Sequence, residues 1–592
     1  MKWKIKEKAP DDFLKRFPEF TPLVAQLLYN RGLISQKQID EFFNPDYSQD
    51  FHDPYLLKGM KKAVNRIRQA LKKGEKITIY GDFDADGVCA TTILFSTLKE
   101  LGAKNLDAYI PDREKESHGL NEKAIRELRA RGTKLIIVVD CGSTDFNEVD
   151  LAKSLGIDMV ITDHHTLAEK LPRALAVINP LQKGDKYPFK DLSGAGVAFK
   201  LASALLSAHG EEFFQKWLLD LVALATVVDV MPIVGENRTL VKYGLGVLAQ
   251  TRRVGLRELM RIGGVEPKII QASFNGEPPA TNLNVATLGF VLGPRLNVAS
   301  RMDHANTAFH LLIARDRKEA KSLAKLLNEK NTERQNLTAA IMKEVERRIE
   351  GNPEKKNSKL IFESSPDWPV GLVGLAASKA VDKYCRPTMI GCEMDDLIHV
   401  SCRSIPEFDL MEAIRIAASE NLLDDYGGHK GGAGFRAKKE NLEKIKKIFA
   451  DIAGEKLKEE DLAPTLDIDA ELSLDALAFY SYDEIQKFAP FGKGNPEPKF
   501  LIRGLEVRNL KAVGTSGSHL KMELVCFDER CRSAKSFQAI AFGSGHLDGI
   551  LDKGSLVDVV FEFILNEWNG TRNLEMKVVD LKLAKLYQKI SQ

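Results

Sequence analysis

Three carboxylates fall within one short stretch of this 592-residue chain, YGDFDADGVCATTIL (80–94): Asp82, Asp84 and Asp86. Like charges repel, so this crowding is costly unless something positive sits among them. Asp82 and Asp84 are two apart, so in extended backbone their side chains point the same way. Gly81 and Gly87 let the chain turn sharply around them. Downstream, KLIIVV runs into Asp140, and DMVIT runs into Asp163, His164 and His165. A single Asp at the end of an apolar run is most often a helix N-cap. Several in one sheet need protons or cations. Oxygen ligands suit Mg²⁺ or Mn²⁺, and an added imidazole favours Mn²⁺. Two such ions bridged by a shared carboxylate, about 3.5–4 Å apart, would activate water and stabilise the leaving oxygen of a phosphoester. Asp229 is the lone charge in ALATVVDVMPIVG (223–235). It is a further candidate, because a carboxylate there is costly unless paired or ligated.

The elements that must position these groups follow from the pattern. KITIY (76–80), KLIIVV (134–139), DMVIT (158–162) and ALAVIN (174–179) read as strands, and GVCATTILFSTLKELG as a helix ending at Gly102. Near-continuous apolar strands separated by helices imply a parallel, doubly wound sheet. Sites in such sheets form outside the carboxyl ends of the strands, so the acids converge on one rim. Helices dominate from about 195 to 350. The stretch Asp303–Glu350 lacks Gly and Pro and predicts one long helix or two, ended by GNPEKKNSK (351–359). A second α/β region spans about 360–455. The last 125 or so residues alternate in short strands such as HLKMELVCF (519–527), which suggests a small β-barrel of the OB type.

Composition sets the frame. Hydrophobic residues are 44% and charged residues 28%, as in globular proteins. No apolar run reaches the roughly 18–20 residues of a membrane span, and MKWKIKEKAPDDF has no apolar core behind its charged start, so no signal peptide is expected. The seven cysteines form no CxxC pair and predict reduced thiols in a cytoplasmic protein. A net charge of only +2 means that any nucleic-acid affinity must come from local patches.

The motifs GDFDADG, VVDCG, TDHHT and ATVVDVMP are similar to the ordered motifs of the DHH phosphoesterase superfamily. SGAGVAFKL (193–201), GPRLNVASRMD (293–303), LNEKNTERQ (327–335), RSIPEFDL (403–410), GGHKGGAG (427–434) and FGKGNPEPKF (491–500) narrow the resemblance to its RecJ family of single-strand-specific DNA exonucleases, over nearly the whole chain. The resemblance implies two α/β lobes, a DHH domain with the parallel sheet and a DHH-associated domain, joined by a long helix and followed by an OB-like β-barrel. The expected division is a helical lead-in over 1–60, the DHH catalytic domain over 61–305, the connecting helix over 306–352, the DHH-associated domain over 353–462 and the barrel over 463–592. No further partner-binding module is expected after the barrel.

The resemblance also implies release of 5′-mononucleotides from single-stranded DNA in the 5′-to-3′ direction, in repair and recombination. It implies two Mn²⁺ or Mg²⁺ ions on Asp82, Asp84, Asp140, His164 and Asp229. His165 would lie beside the scissile phosphate, and Asp163 would orient a histidine from behind. Arg113, Arg295, Arg301, Ser401 and Arg403 would hold the 5′ end, with Gly428 and His429 of GGHKGGAG closing the cleft. Arginine suits a terminal phosphate because its planar fork donates two bonds. In the barrel, Lys511, His519, Lys521, Trp568 and Arg572 are the types used for phosphate contact and base stacking. Single-stranded DNA, a helicase and a single-strand-binding protein are the implied partners, and no membrane. The chain departs from the family's usual Tyr at His118, Gly at Ser300 and His at Pro369, and none of these is expected to touch a metal ligand. The competing readings are a phosphodiesterase for short RNAs or cyclic dinucleotides, whose proteins are usually much shorter, and a non-catalytic replication scaffold, against which the intact acids argue.

Overall fold

Five strands pair in parallel in the computed structural model, which describes residues 1–113, 115–116, 118–207, 210, 212–271, 278–526, 536–568 and 571–584. They are β1 (Ile77–Gly81), followed by α1 (Ala85–Glu100), then β2 (Leu106–Tyr109), β3 (Leu135–Val139), β4 (Asp158–Thr162) and β5 (Ala176–Ile178). The strand order is β2-β1-β3-β4-β5. β1 and β3 are buried at every residue, as a sheet covered on both faces requires. The sequence reading missed β2. It is a half-buried edge strand with Asp107 in its middle, so it carries no apolar signal.

The register gathers the acids. Gly81 pairs with Val139, Val139 with Thr162, and Thr162 with Ile178. The residues that follow, Asp82, Asp140 and Asp163, therefore leave the sheet side by side. The order reverses between β1 and β3, which is where a crevice opens in such a sheet. Asp82 and Asp140 flank that point.

The helices α2 (Gly194–Ser207) and α3 (Leu219–Val228) are buried along nearly their whole length. Next come α4 (Gly293–Met302), entered through a π-helical turn at Thr287–Leu292, and α5 (Arg317–Glu350). The Gly- and Pro-free stretch is thus a short helix, Asn306–Ile313, and one 34-residue helix capped by Asp316. Ala320, Ala324 and Leu327 of α5 belong to the core beside the parallel sheet, whereas Ile341, Met342, Val345 and Ile349 belong to that of a second lobe. One helix therefore serves both cores.

The second lobe is built on β6 (Ile361–Ser365), α6 (Val370–Tyr384), β7 (Thr388–Met394), β8 (Leu397–Arg403), β9 (Asp425–His429) and β10 (Gly432–Lys438). Its sheet has the order β9-β10-β8-β7-β6, with only β6 and β7 parallel.

Both lobes lie in one unit, Asp46–Ala463, while Met1–Pro45 and Pro464–Gln592 form another. The segment read as one lead-in is thus divided. In the other unit Lys2–Ile5 pairs in parallel with Thr465–Ile468, and Phe13, Phe17 and Phe42 share a core with Phe488, Phe500 and Phe561. The strand Phe500–Val513 pairs with both His519–Cys526 and Leu556–Trp568. Ser536–Ala541 and Thr571–Leu583 complete a closed five-stranded barrel. Lys511 and Lys521 sit directly opposite each other there. Among the described residues Cys89, Cys141, Cys385, Cys392 and Cys402 form no disulfide, but Cys526 is disulfide-bonded, which corrects the expectation that every thiol is reduced; the spacing of the cysteines carries no signal of it.

A buried ion pair anchors α2. Lys200 and Glu236 are both fully enclosed and bonded to each other. The Tyr187 hydroxyl donates to Glu236 (2.6 Å), Lys200 donates to the His52 carbonyl (3.0 Å), and its ammonium lies 3.2 Å from the centre of the Phe51 ring. Removing one partner strands the other charge, at a cost of about 3–5 kcal/mol. Lys200→Met is therefore expected to lower the melting temperature clearly in a thermal-shift assay, and Lys200→Met with Glu236→Gln to recover part of the loss.

Candidate metal centre

Asp82, Asp84 and Asp140 converge so that one oxygen of each lies within 4.8 Å of the others. Asp86, His164 and Asp229 form a second such group, and Asp140, His164 and His165 a third. The five residues expected to hold metal are thus brought together, with Asp140 and His164 shared between groups.

The backbone explains how. Asp84 is the N-cap of α1 and accepts from Asp86 N (2.9 Å) and Gly87 N (3.0 Å), so capping and ligation fall on one residue. Asp140 stands at φ 63°, a left-handed conformation that Asp tolerates better than most residues. Val230, just after Asp229, stands at φ 56°, which is strained for a β-branched residue. Gly194 lets α2 approach, since a Cβ there would lie 2.1 Å from Asp140 Oδ1.

Burial and repulsion set the electrostatics. Desolvation and then the charge of Asp82 push Asp84 up to about 6. Desolvation raises Asp86 to about 6 as well, against the pull of hydrogen bonds from Gly194 N and Ala195 N (2.7 and 2.8 Å). Asp140 is raised well above the usual range by desolvation and by Asp86, Asp84, Asp82 and Asp229. Its Oδ1 is buried and accepts no hydrogen bond. An orphaned carboxylate oxygen facing other carboxylates is what a divalent cation would complete, and the donor set of acids with one imidazole fits Mn²⁺ or Mg²⁺.

The two histidines differ. His164 Nε2 lies 3.2 Å from Asp140, 3.7 Å from Asp229 and 3.9 Å from Asp86. Desolvation, then the charge of His165, lowers it to about 4, so it is neutral and ligand-competent at pH 7. His165 is half exposed. Burial lowers its pKa, but the hydrogen bond to Asp163 (2.8 Å) and that residue's charge outweigh this and raise it to about 9. Asp163 is buried behind it and accepts also from the backbone N–H groups of His164, His165 and Ser143.

A cationic cluster lies nearby. Arg301 is pulled down to about 9 by desolvation and by Arg113, Arg334 and Arg403, against the charge of Asp84. It donates to the Gly371 carbonyl at the start of α6 (3.1 Å) and so joins the lobes. Arg113 stacks over Phe83 at 5.1 Å. Ser401, Arg403, Gly428 and His429 line one cleft of about 430 Å³. Gly428, at φ 135°, is required there because a Cβ would meet Ala433 Cα at 2.4 Å. Arg295 is turned to Asn328 Oδ1 (3.0 Å) and the Val291 carbonyl (2.7 Å), which ties α4 to α5.

Four residues escaped the sequence reading of the site. Asp86 holds the start of α2, and its spacing from Asp82 and Asp84 was the available signal. Asn297 accepts from Ala85 N (2.7 Å) and Arg334 joins the arginine cluster with a buried, unbonded Nε; both lie in motifs already singled out. His118 corrects the expectation that the departures avoid the ligands, because its Nδ1 lies 3.0 Å from Asp82 Oδ1. A turn residue far from Asp82 in sequence gives no local sign of that contact. Ser300 bonds only within its helix, to the Asn297 carbonyl (3.2 Å), and Pro369 is the N-cap of α6.

A parallel sheet that delivers acids and a His pair to its switch point, beside an arginine cluster drawn from both lobes and the helix between them, defines a metal-dependent phosphoesterase of the DHH type. Residues 76–226 match the model of the DHH family, N-terminal domain, and residues 468–580 that of the RecJ OB domain. The chain is 36% identical over 589 residues to the single-stranded-DNA-specific exonuclease RecJ of Bacillus subtilis, spanning 99% of this chain and 71% of that one. It is 30% identical to the RecJ of Dickeya dadantii, spanning 95% and 96%. The crystal structure of Thermus thermophilus RecJ with Mn²⁺ superposes with a TM-score of 0.81 at 29% identity, over 99% of this chain and 80% of that one, and the Mg²⁺ complex with 0.75 at 27%. The chain belongs to the RecJ family.

Two outcomes follow. Gly194→Ala pushes a methyl into Asp140, so Mn²⁺ affinity measured by calorimetry should fall at least ~10-fold, as when a ligand loses its setting. Carboxyl groups raised in the fold bind protons that the unfolded chain releases from about pH 4 upward. This contribution to metal-free stability is therefore full at low pH and lost as pH rises through about 6. Mn²⁺ competes with those protons, so its stabilising effect in a thermal-shift assay should be larger at pH 7 than at pH 5.

Proposed function

We propose that this chain digests single-stranded DNA from the 5′ end, releasing 5′-mononucleotides in DNA repair and recombination in the cytoplasm. The observation that carries this reading is buried Arg301, which clasps the Gly371 carbonyl of the second lobe and whose guanidinium feels both the Asp84 carboxylate of the metal centre and the charges of Arg113, Arg334 and Arg403. A terminal phosphate held there sets the next phosphodiester against the acids, which is end recognition coupled to cleavage. No helix among the described residues is long and apolar enough to cross a membrane.

In this reading Asp82, Asp84, Asp140, His164 and Asp229 hold Mn²⁺ or Mg²⁺. Bound there, the cations neutralise the cluster and supply Lewis-acid chemistry to a phosphoester. The protein's own groups do the rest. His165, kept protonated by Asp163, donates from its remaining N–H to a phosphate oxygen. Arg113, Arg301, Ser401 and Arg403 fix the 5′ phosphate, and His429 and Gly428 border it. Lys511 and Lys521, placed opposite each other in the barrel with Glu575 3.8 Å from Lys521, serve the backbone of the strand. A helicase that frees single strands and a single-strand-binding protein are the partners this chemistry calls for.

The test is Mn²⁺-dependent release of mononucleotides from 5′-labelled single-stranded DNA, RNA and a dinucleotide side by side. DNA bearing a 5′ phosphate should be cut faster than DNA bearing a 5′ hydroxyl, and Arg403→Ala should shrink that preference about 10-fold or more, the loss of a charge-assisted bond. Equal rates on both ends, or digestion from the 3′ end, would refute the pocket.

A further inference from the structure

His118 is the one departure from the family pattern that reaches the metal centre. Its Nδ1 faces Asp82 Oδ1 at 3.0 Å, its ring meets His165 edge-on at 5.5 Å, and Phe83 packs on it at 6.1 Å. The Asp82 side chain is 5% exposed and that of His118 53%, so the imidazole stands on the rim and reaches inward. A ligating carboxylate is ionised and can only accept hydrogen bonds, which places the proton on His118 Nδ1. A carboxylate has two oxygens, and one held by an N–H leaves the other to a cation.

The segment that carries His118 is itself pinned. The Tyr80 hydroxyl donates to the Gly119 carbonyl (3.0 Å), and Leu120 N donates to Asp145 (2.7 Å). Gly119 is at φ 88°, and a Cβ there would meet Asp145 Oδ2 at 2.8 Å. Tyr80 is the residue two before Asp82, so β1 holds the loop that holds its own acid.

We propose that His118 is a positioning residue of the metal centre, whose Nδ1–H fixes the Asp82 carboxylate in its ligating orientation and so raises cation affinity. It acts through Asp82 and does not touch the substrate. The inference rests on Asp82 being a metal ligand, and the experiment separates the two. Mn²⁺ binding is measured by calorimetry on the DNA-free protein, for the wild type, Asp140→Asn, His118→Ala, His118→Asn and His118→Tyr. Removing a hydrogen-bond partner of a ligand costs about 10–100-fold in affinity. His118→Ala should lose that much while its metal-free melting temperature stays near the wild type's. His118→Asn, whose amide nitrogen occupies the Nδ1 position, should recover most of it, and His118→Tyr, with no donor there, should not. Wild-type affinity in His118→Ala, or equal affinities in the Asn and Tyr variants, would overturn the proposal, and the Asn–Tyr comparison decides it should the Ala variant fail to fold. A wild type that binds no Mn²⁺, or an Asp140→Asn protein that binds it normally, would overturn the metal centre itself.

Discussion

Repulsion among buried carboxylates around Asp140 is the constraint to which the first lobe is built. Burial, and then four neighbouring acids, raise its pKa, and its Oδ1 finds no hydrogen bond. Water cannot dilute these charges, so the protein meets them with backbone N–H groups. The first turn of α1 donates to Asp84, and the start of α2 donates to Asp86. Helix N-termini carry partial positive charge, so two of them aimed at one cluster lower its energy without adding a side-chain cation that would displace a metal. The left-handed Asp140 and the bare Gly194 then follow, because the helices must come close enough for those bonds to form.

Opposite charge is kept at a distance by architecture. The arginines come from α4, α5, the loop after β2 and the second lobe, and their mutual repulsion mirrors that of the acids. Like charges repel within each cluster, and Arg301 is the point where the two meet. The lobes can hold this separation because α5 belongs to both cores and Arg301 clasps Gly371. Under the proposed function, a terminal phosphate would offset the arginine cluster and a cation the acidic one.

Much of this was legible in the sequence because it is local. Period and apolar runs gave β1, β3, β4 and β5, and the rule that sites gather at strand tips gave the acids before any register was known. What was not legible depends on long-range contact. β2 lacks an apolar pattern because it is an edge. The pairing of Lys2–Ile5 with Thr465–Ile468 spans more than four hundred residues and leaves no local trace. Asp86 reads as one of three equal acids until α2 is seen to start against it. Arg295 reads like Arg301, but helix geometry turns it to Asn328. His118 sits in a polar loop, and only the fold brings it to Asp82.

The adjacent histidines show how the same residue type is given two tasks. His164 and His165 are neighbours with ring centres 4.5 Å apart, so each opposes the other's charge. Left alone they would titrate as a pair, with neither state fixed. Asp163 breaks the tie. It spends one oxygen on His165 Nδ1 and on two backbone N–H groups, and is itself enclosed. The proton therefore settles on His165, and the resulting charge helps to hold His164 neutral among the acids. A neutral imidazole can ligate and a charged one can donate to phosphate. Environments that push neighbouring pKa values apart suit such a division, and here burial, then the charge of His165, keeps His164 neutral against the pull of Asp163, while Asp163 raises His165.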